Sequence, residues 1–280
     1  MATCHEDEEA NYTRSDSDVL DSISDFEVRP DDVFLVGYPQ SGTDLLESIM
    51  RQLYDRWGTF RLTENGRVPL LDSNREKGGF RECMMAPSPR LMTSHLPQEL
   101  FPSQRNICKT IIVIRNPKDV CVACYHHFLH EQSFPSQSLH VPQLSQWNEF
   151  VQRFATGTLP YGSWLDNVAG WLDNRPQNSL FLRYELLKAD PRSAVEEICR
   201  FIGFAECEAR IQAVIADLEL CNMLDLSEKL SFLNGDHRSA MSHRPCEGVG
   251  SWKKYFCVSQ SELFDSIIGV LKSKGYDEQL

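Results

Sequence analysis

A short apolar run followed by a glycine-containing turn is the feature of this sequence with the clearest chemical meaning. Val33–Val36 is continuously apolar, which is typical of a buried parallel strand. Pro39 and Gly42 then interrupt the chain, and apolar residues recur at helical spacing at Leu45, Leu46, Ile49 and Met50. The first N–H groups of such a helix have no partners within it, so a strand–turn–helix junction of this kind can bind a phosphate.

The spacing of the two glycines in this junction resembles half of a known phosphate-binding motif. Gly37 and Gly42 are separated as in the first half of a P-loop, but Thr43 and Asp44 stand where its lysine and hydroxyl residue would follow. The half-motif is therefore also compatible with a tight connection that binds nothing.

Alternating elements along the chain predict the scaffold for this junction. Each apolar segment is followed by a helical stretch or by a loop and a helix, and a helix over Arg192–Phe204 is expected to end at Gly203. This alternation predicts a single α/β domain with a central parallel sheet flanked by helices on both faces. The predicted strands are Val33–Tyr38, Arg90–His95, Thr110–Arg115 and Leu180–Tyr184.

Polar side chains follow the predicted strands at the edge where parallel sheets bind ligands. Gln40, His95, Arg115 and Tyr184 all lie at or just beyond the carboxyl end of a predicted strand. The carboxyl ends of parallel strands meet at one edge, so these residues are expected to converge there. The sequence therefore predicts one site built from distant parts of the chain.

The charge of the chain is concentrated at its N-terminal end. Residues 1–32 contain eleven acidic residues and two arginines, a net charge of −9, which leaves −3 of the total of −12 for the remaining residues. Residues 1–24 are predicted to form an acidic, mostly disordered tail that either solvates the protein or binds a partner, and residues 25–280 to form the domain. The nearly neutral remainder does not favour nucleic-acid binding.

The distribution of apolar residues and cysteines predicts a cytoplasmic protein. No apolar run reaches the ~18 residues of a membrane span, and the N-terminus has no signal-peptide pattern. The ten cysteines are scattered, and a chain of 280 residues needs no disulfide scaffold. Cys121 and Cys124, with three histidines after them, permit a zinc or redox site, but their spacing also fits the buried face of a helix, which we prefer. We predict no metal.

Five segments, in order, are similar to the motifs of the cytosolic sulfotransferases, which transfer a sulfuryl group from PAPS (3′-phosphoadenosine 5′-phosphosulfate) to hydroxyls or amines. Tyr-Pro-x-Ser-Gly-Thr after the first strand resembles their 5′-phosphosulfate loop. The resemblance extends over about residues 26–270 and implies their P-loop-like fold. The segments are Tyr38–Thr43, Arg90–Pro97, Arg115–Val120, Phe181–Glu185 and Gly250–Lys253.

The resemblance implies a role for each site residue. His95 would be the general base that deprotonates the acceptor, since an imidazole can take up a proton near neutral pH. Arg115 would bind the 3′-phosphate of the nucleotide, and Tyr184 would contact the nucleotide. The 5′-phosphate would be bound by backbone amides and hydroxyls of Gln40, Ser41, Gly42 and Thr43.

The sequence departs from the family at several cofactor positions. Gln40 stands where the family has a lysine that stabilises the leaving oxygen, and Ala123 replaces a serine at the 3′-phosphate. Asp44 and Leu45 replace a Thr/Ser and an adenine-stacking tryptophan, and the C-terminal phosphate loop is altered over Arg244–Lys253. Asp44 at the helix start is a good cap, and its carboxylate is expected to be able to occupy the amides that a phosphate would use.

These departures leave two functions open. The chain is either a PAPS-dependent sulfotransferase or a catalytically impaired protein of the same fold with a binding or regulatory role; a nucleotide kinase is disfavoured because the Walker lysine is missing. The resemblance also implies a weak homodimer through Lys253–Glu262, with an amphipathic turn as the alternative for that segment. The resemblance further implies an acceptor pocket lined by apolar loop residues, although such aromatic residues are as often simple packing; the candidates are Phe128, Phe134, Tyr161 and Trp164.

Overall fold

Four parallel strands form the central sheet, in the order β2-β1-β3-β4. The computed structural model describes residues 22–54, 67–73, 79–133, 147–204, 208–216, 218 and 248–280. β1 pairs with β2 from Val33↔Leu91 to Val36↔Ser94, and β3 pairs with β4 from Thr110↔Ser179 to Ile114↔Arg183. The strands are β1 (Val33–Val36), β2 (Leu91–Ser94), β3 (Lys109–Ile114) and β4 (Ser179–Arg183).

Alternate side chains of each strand enter two separate apolar cores, one on each face of the sheet. In β1, Phe34 packs into one core while Leu35 packs into the other. Because successive strand residues point to opposite faces, a strand that is apolar throughout must be covered on both sides. The structure therefore confirms the predicted parallel sheet flanked by helices.

Helices cover both faces and connect the strands. The core that contains Phe34 is completed by helices that follow β3 and by the C-terminal helix. The core that contains Leu35 is completed by helices that follow β1 and β4 and by a helical segment at residues 208–216. The helices are α1 (Thr43–Tyr54), α2 (Gly79–Met85), α3 (Pro117–Ser133), α4 (Trp147–Ala155), α5 (Trp164–Asp173), α6 (Tyr184–Ala189), α7 (Pro191–Ile202) and α8 (Val258–Ser273). Short 3₁₀ turns lie at Gln98–Leu100, Arg105–Ile107, Ser251–Lys254 and Asp277–Gln279.

The strands end earlier than predicted, and the difference has a structural cause. The residues that follow the last paired positions, among them His95 and Arg115, leave the sheet and bend into the turns of the site, while Tyr184 already begins α6. The predicted helix after Arg192 is confirmed as α7, which Asp190 caps at its start and Gly203 ends in the left-handed conformation.

The described part of the chain bears on two further expectations. Ile23, which falls within the predicted tail, is fully buried in the core. Residues 1–21 of that tail lie outside the described residues. Among the described residues, no helix is both long enough and apolar enough to cross a membrane.

Candidate active site

The turn between β1 and α1 is held in a conformation that depends on glycine. Gly42 has a φ of 110°, and a Cβ at this position would lie 2.5 Å from ring atom Cδ2 of Tyr184. Gln40 also has a positive φ, 66°, which an L-residue adopts only at a cost in free energy. The turn is therefore fixed by its own backbone and by the tyrosine that follows β4.

Most of the backbone N–H groups and hydroxyls that were predicted to bind a phosphate in this turn make no other hydrogen bond among the described residues, and the Ser41 N–H is the exception. The N–H of Ser41 donates to the Tyr38 carbonyl at 3.0 Å, so its amide already serves the turn. The N–H groups of Gln40, Gly42 and Thr43 make no hydrogen bond within the part of the chain that the structure describes. The Ser41 hydroxyl is buried and, among the described residues, has no hydrogen-bond partner.

His95 lies beside this turn with its imidazole in a defined orientation. Its Nδ1 is 2.8 Å from the carbonyl oxygen of Gly37. A carbonyl can only accept, so Nδ1 carries the proton and donates it to this hydrogen bond, which leaves Nε2 with its lone pair. The aligned register of Val36 and Ser94, the last residues of β1 and β2, brings the two groups together.

Three further residues position His95, and two of them were not anticipated from the sequence. The carboxylate of Asp72 accepts the His95 N–H at 3.0 Å, and the Asn167 amide donates to the His95 carbonyl at 3.3 Å. The ring of Tyr161 meets the imidazole edge to face, with centroids 5.9 Å apart. Asp72 and Asn167 lie far from His95 in the sequence, and no local pattern marks them.

Arg115 joins the ends of three strands. Its Nη1 donates to the Gln40 carbonyl at 3.0 Å, and its Cζ lies 4.4 Å from the centroid of the Tyr184 ring. The guanidinium is buried, with 4% of the residue exposed. The structure thus brings Gln40, His95, Arg115 and Tyr184 to one edge of the sheet, as predicted; their roles there remain predictions.

The Asp44 carboxylate does not turn toward the loop amides, contrary to expectation. Its Oδ1 is 2.6 Å from Nη2 of Arg67, and both side chains are more than half exposed. The same guanidinium lies 3.7 Å from Glu47 on the next turn of α1. Arg67 therefore compensates part of the negative charge that Asp44 brings to this helix start.

Of the other positions that depart from the sulfotransferase motifs, only some lie within the described residues. Ala123 is half-buried on α3 and offers a methyl group where the family has a hydroxyl. Of the C-terminal loop, Arg244–Glu247 lies outside the described residues, whereas Gly250–Lys254 forms a turn that packs beside the start of α3.

Cys121 and Cys124 are buried core residues of α3, as the preferred interpretation predicted. Burial raises the pKa of the Cys124 thiol to about 12, although nearby Arg115 opposes the shift, and burial also raises the pKa of Cys121 well above its usual value. Both thiols therefore stay protonated near neutral pH and pack as small apolar groups.

The predicted acceptor residues have different environments. Tyr161 contacts His95, but Trp164 is buried in the core and Phe128 packs on Phe150 at 5.5 Å. Phe134 lies outside the described residues.

The segment Lys253–Glu262, the predicted dimer contact, is largely exposed, and Cys257 caps α8 together with Gln260.

Comparisons with known proteins agree with this geometry over nearly the whole chain. The family described as "Sulfotransferase domain" matches residues 30–277. An amine sulfotransferase of Oryctolagus cuniculus is 31% identical over 92% of this chain and 86% of its own length, and sulfotransferase 2A1 of Homo sapiens is 31% identical over 90% and 88%.

A solved structure gives the same assignment. The mouse sulfotransferase SULT7A1, complexed with PAP, superposes with a TM-score of 0.68 at 26% identity, covering 90% of this chain and 88% of that one. The family match, the sequence relatives and the shared fold together confirm the resemblance drawn from the motifs. This chain belongs to the sulfotransferase family.

Proposed function

We propose that this protein transfers a sulfuryl group from PAPS to a hydroxyl or amine of a small acceptor, with His95 as the general base. Membership of the sulfotransferase family supports sulfuryl transfer to small acceptors in general. The observation that carries the finer proposal is the hydrogen bond between Nδ1 of His95 and the Gly37 carbonyl. It fixes an imidazole at the phosphate loop in the tautomer that can accept a proton.

The proton of the acceptor would be taken up at Nε2 of His95. As the imidazole becomes positively charged, the Gly37 carbonyl stabilises it through the Nδ1–H, since an oriented dipole acts on the charge without reorganising. Asp72 and Asn167 hold the backbone of His95 on both sides, which keeps the ring at the loop. Tyr161 would then form part of the acceptor wall.

Several residues fit a nucleotide phosphate at this edge. The buried Ser41 hydroxyl lacks a partner among the described residues, and a phosphate oxygen would supply one. Arg115 offers a guanidinium suited to a 3′-phosphate, because its planar fork can make two hydrogen bonds at once. PAP is present in the SULT7A1 structure, and PAPS is the donor that supplies the sulfuryl group when bound.

Two substitutions weaken the donor site and favour a second candidate, a catalytically impaired protein with a binding or regulatory role. Gln40 carries no charge, and losing one contact that stabilises a transition state typically costs on the order of 10²–10³-fold in rate. Asp44 would repel a phosphate charge at ~5 Å by roughly 3 kcal/mol at an effective dielectric constant of ~20. The ion pair with Arg67 reduces that repulsion, and for this reason we favour an active or weakly active enzyme.

The remaining expectations belong to the same proposal. We propose a cytoplasmic protein that needs no metal and forms a weak homodimer through Lys253–Glu262. The exposure of Val258, 74% of the residue, supports a contact there.

The first experiment is calorimetric titration of the natural protein with PAP, beside the double variant Gln40→Lys/Asp44→Thr. Micromolar binding by the natural protein supports the enzyme. An acceptor panel of phenols, steroids and amines, with [³⁵S]PAPS as donor, then tests turnover, and His95→Ala should abolish it while leaving PAP affinity unchanged.

Each outcome separates the two candidates. No binding by the natural protein, with recovery in the double variant, would mean that the fold is intact and the cofactor site lost, so the impaired protein would be correct. Absence of binding in both would place the defect at Ala123 and the loop around Arg244–Gly250. Full turnover by His95→Ala would disprove the role of His95.

A further inference from the structure

Two tight turns near His95 share an unusual backbone conformation. In each turn a proline is the second residue, the third residue has a positive φ, and the first carbonyl accepts the N–H of the fourth residue at 3.0 Å. This pattern fits a type II turn, whose third position favours glycine or asparagine. The first turn comprises residues 38–41 and the second residues 159–162; the positive φ values belong to Gln40, 66°, and Tyr161, 76°.

Both turns carry a side chain at the position that favours glycine. Among the described residues, Gln40 and Tyr161 are the only non-glycine residues with a positive φ. An L-residue adopts this conformation at a cost in free energy, and it persists only where surrounding contacts hold it, often at functional sites. Tertiary contacts must therefore impose the shape of these two turns.

The hydroxyl of Tyr38 joins the two turns. It donates to the carbonyl of Gly162 at 2.9 Å, and so connects the first residue of one turn to the last residue of the other. Only 3% of Tyr38 is exposed, and its ring packs on Phe154 of α4 with centroids 5.9 Å apart. The ring is therefore fixed, and its hydroxyl connects parts of the chain that are 124 residues apart.

The second turn is also fixed at its ends. Gly157 has a φ of 70°, and a Cβ at this position would lie 2.7 Å from Cβ of Ser163, so the two ends of the connection between α4 and α5 lie against each other. Ser163 then caps α5 by accepting the N–H of Asp166 at 3.2 Å. The Tyr38 hydroxyl thus holds a turn that has little freedom of its own.

The contacts of the two turns close a ring around His95. Its Nδ1 donates to the carbonyl of Gly37, the residue before the first turn. Its imidazole packs edge to face on Tyr161 in the second turn, and the Tyr38 hydroxyl links the two sides. We propose that Tyr38 is a positioning residue for His95: it holds the second turn beside the first, so that the imidazole stays hydrogen-bonded through Nδ1 and presents Nε2 to the acceptor. This inference rests on the proposed function.

The Tyr38 hydroxyl is expected to act on the imidazole and not on the nucleotide. A neutral imidazole that is free to rotate can carry its proton on either nitrogen, and only the form with Nδ1–H leaves Nε2 able to accept one. The carbonyl of Tyr38, which accepts the Ser41 N–H in the first turn, is retained when the hydroxyl is removed. Tyr38→Phe should therefore disturb His95 and leave the first turn in place.

The test compares Tyr38→Phe with the natural protein by nitrogen NMR of the histidine rings and by kinetics. At a pH where the imidazole is neutral, we expect the two ring nitrogens of His95 in the free protein to move from the signals of one tautomer toward those of a mixture. With PAPS as donor, kcat should fall about threefold to tenfold, the range expected for the loss of one hydrogen bond. PAP affinity and the KM for PAPS should stay within about twofold.

Tyr276→Phe is the matched control. It also removes a tyrosine hydroxyl that bonds a distant residue, since the Tyr276 hydroxyl donates to Asp173 at 2.7 Å across 103 positions of the sequence. That hydrogen bond is exposed and lies beyond the end of α8. The control should change neither the His95 signals nor kcat.

Two variants of Tyr161 cover the case in which Tyr38→Phe does not fold. Tyr161→Phe keeps the aromatic ring and should keep the natural His95 signals. Tyr161→Asn suits the left-handed position but removes the ring, so the turn keeps its shape while the His95 signals should move toward those of a mixture. Identical His95 signals in both variants would contradict a role for this turn.

The outcomes separate this inference from the proposed function. If the natural protein transfers no sulfuryl group to any acceptor, the proposed function fails, whereas the His95 signals of the free protein still decide whether Tyr38 orients the imidazole. Unchanged signals in Tyr38→Phe would overturn the inference, and so would changed signals without a loss of kcat in an active protein. An equal loss of kcat in Tyr276→Phe, or a loss of PAP affinity as large as the loss of kcat, would also overturn it.

Discussion

At the scale of single residues, Arg115 is the side chain on which the proposed donor site depends most. Its guanidinium stacks on Tyr184 and donates to the carbonyl of Gln40, so its plane is fixed before any ligand binds. A preorganised group loses less side-chain entropy on binding, and a planar guanidinium can contact two phosphate oxygens. A lysine at this position would keep the charge but lose both properties.

We therefore expect Arg115→Lys to weaken PAP binding about tenfold to a hundredfold, measured by calorimetry, since charge-assisted hydrogen bonds contribute about 1.5–3 kcal/mol. The matched control is Arg175→Lys, because Arg175 also lies over an aromatic ring, Phe181 at 4.8 Å, but precedes β4 at the opposite edge of the sheet. Equal loss of PAP affinity in both variants would show that Arg115 has no specific role.

At the scale of secondary-structure elements, α1, the helix that follows the candidate phosphate loop, carries a buried carboxylate. Glu47 accepts the N–H of Val68 at 3.0 Å and is 6% exposed. Burial raises the pKa of this carboxyl above its ordinary value of 4.5, and the hydrogen bond from Val68 and the charge of Arg67 offset the shift only in part. The ionised side chain is therefore a cost to the folded protein near neutral pH.

The sign of the pH dependence follows from this shift. A carboxyl whose pKa is raised on folding binds protons more tightly in the folded state, so stability falls as the pH rises from about 4.5 through the raised pKa of the folded state and is constant above it. Glu47→Gln removes the charge and keeps an acceptor for Val68. We expect a higher Tm than the natural protein at pH 7, and no difference well below pH 4.5, where the carboxyl is protonated in both states.

Differential scanning calorimetry at the two pH values is the measurement. Glu149→Gln is the control, because Glu149 is an exposed partner of Arg153 at 3.0 Å and should change Tm little at either pH. A lower Tm of Glu47→Gln at pH 7 would mean that the contacts to Arg67 and Val68 outweigh the cost of burial.

At the scale of the whole molecule, a buried ion pair holds the amino edge of the sheet. Arg90, which precedes β2, binds Asp32, which precedes β1, through two hydrogen bonds of 2.7 and 2.6 Å. Arg90 also donates to the carbonyls of Cys83 and Glu27, so it joins α2 and the N-terminal segment to the two strands. This ion pair thus lies at the edge of the sheet opposite the proposed ligand site.

Breaking one partner of a buried ion pair typically costs about 3–5 kcal/mol, and we expect Arg90→Lys to lose about 3 kcal/mol of unfolding free energy in urea titrations. PAP affinity of the folded protein should stay within about twofold, a change of less than half a kcal/mol. Arg153→Lys, at an exposed pair, should cost almost nothing. A large loss of PAP affinity in Arg90→Lys would mean that the two edges are coupled.

The sequence was sufficient for the framework of the site. The apolar runs located the four strands, and the residues after them located Gln40, His95, Arg115 and Tyr184 at one edge, because strand burial and strand direction leave a local signature. The helical spacing of Cys121 and Cys124 likewise indicated a buried helix face. The ordered motifs also identified the family, which the comparisons confirm.

Only the tertiary structure decided which groups pair with which. Asp44 meets Arg67 rather than the loop amides, His95 donates to Gly37 across two strands, and Asp119 binds a turn more than 130 residues away. Such partners depend on strand register and on the packing of helices across the sheet, and neither leaves a periodic pattern in the sequence. The sequence by itself thus determined the fold and which residues lie at the carboxyl edge of the sheet. Long-range contacts determined how those side chains are oriented and which charges are paired, because hydrophobic periodicity is local and hydrogen-bond geometry is not.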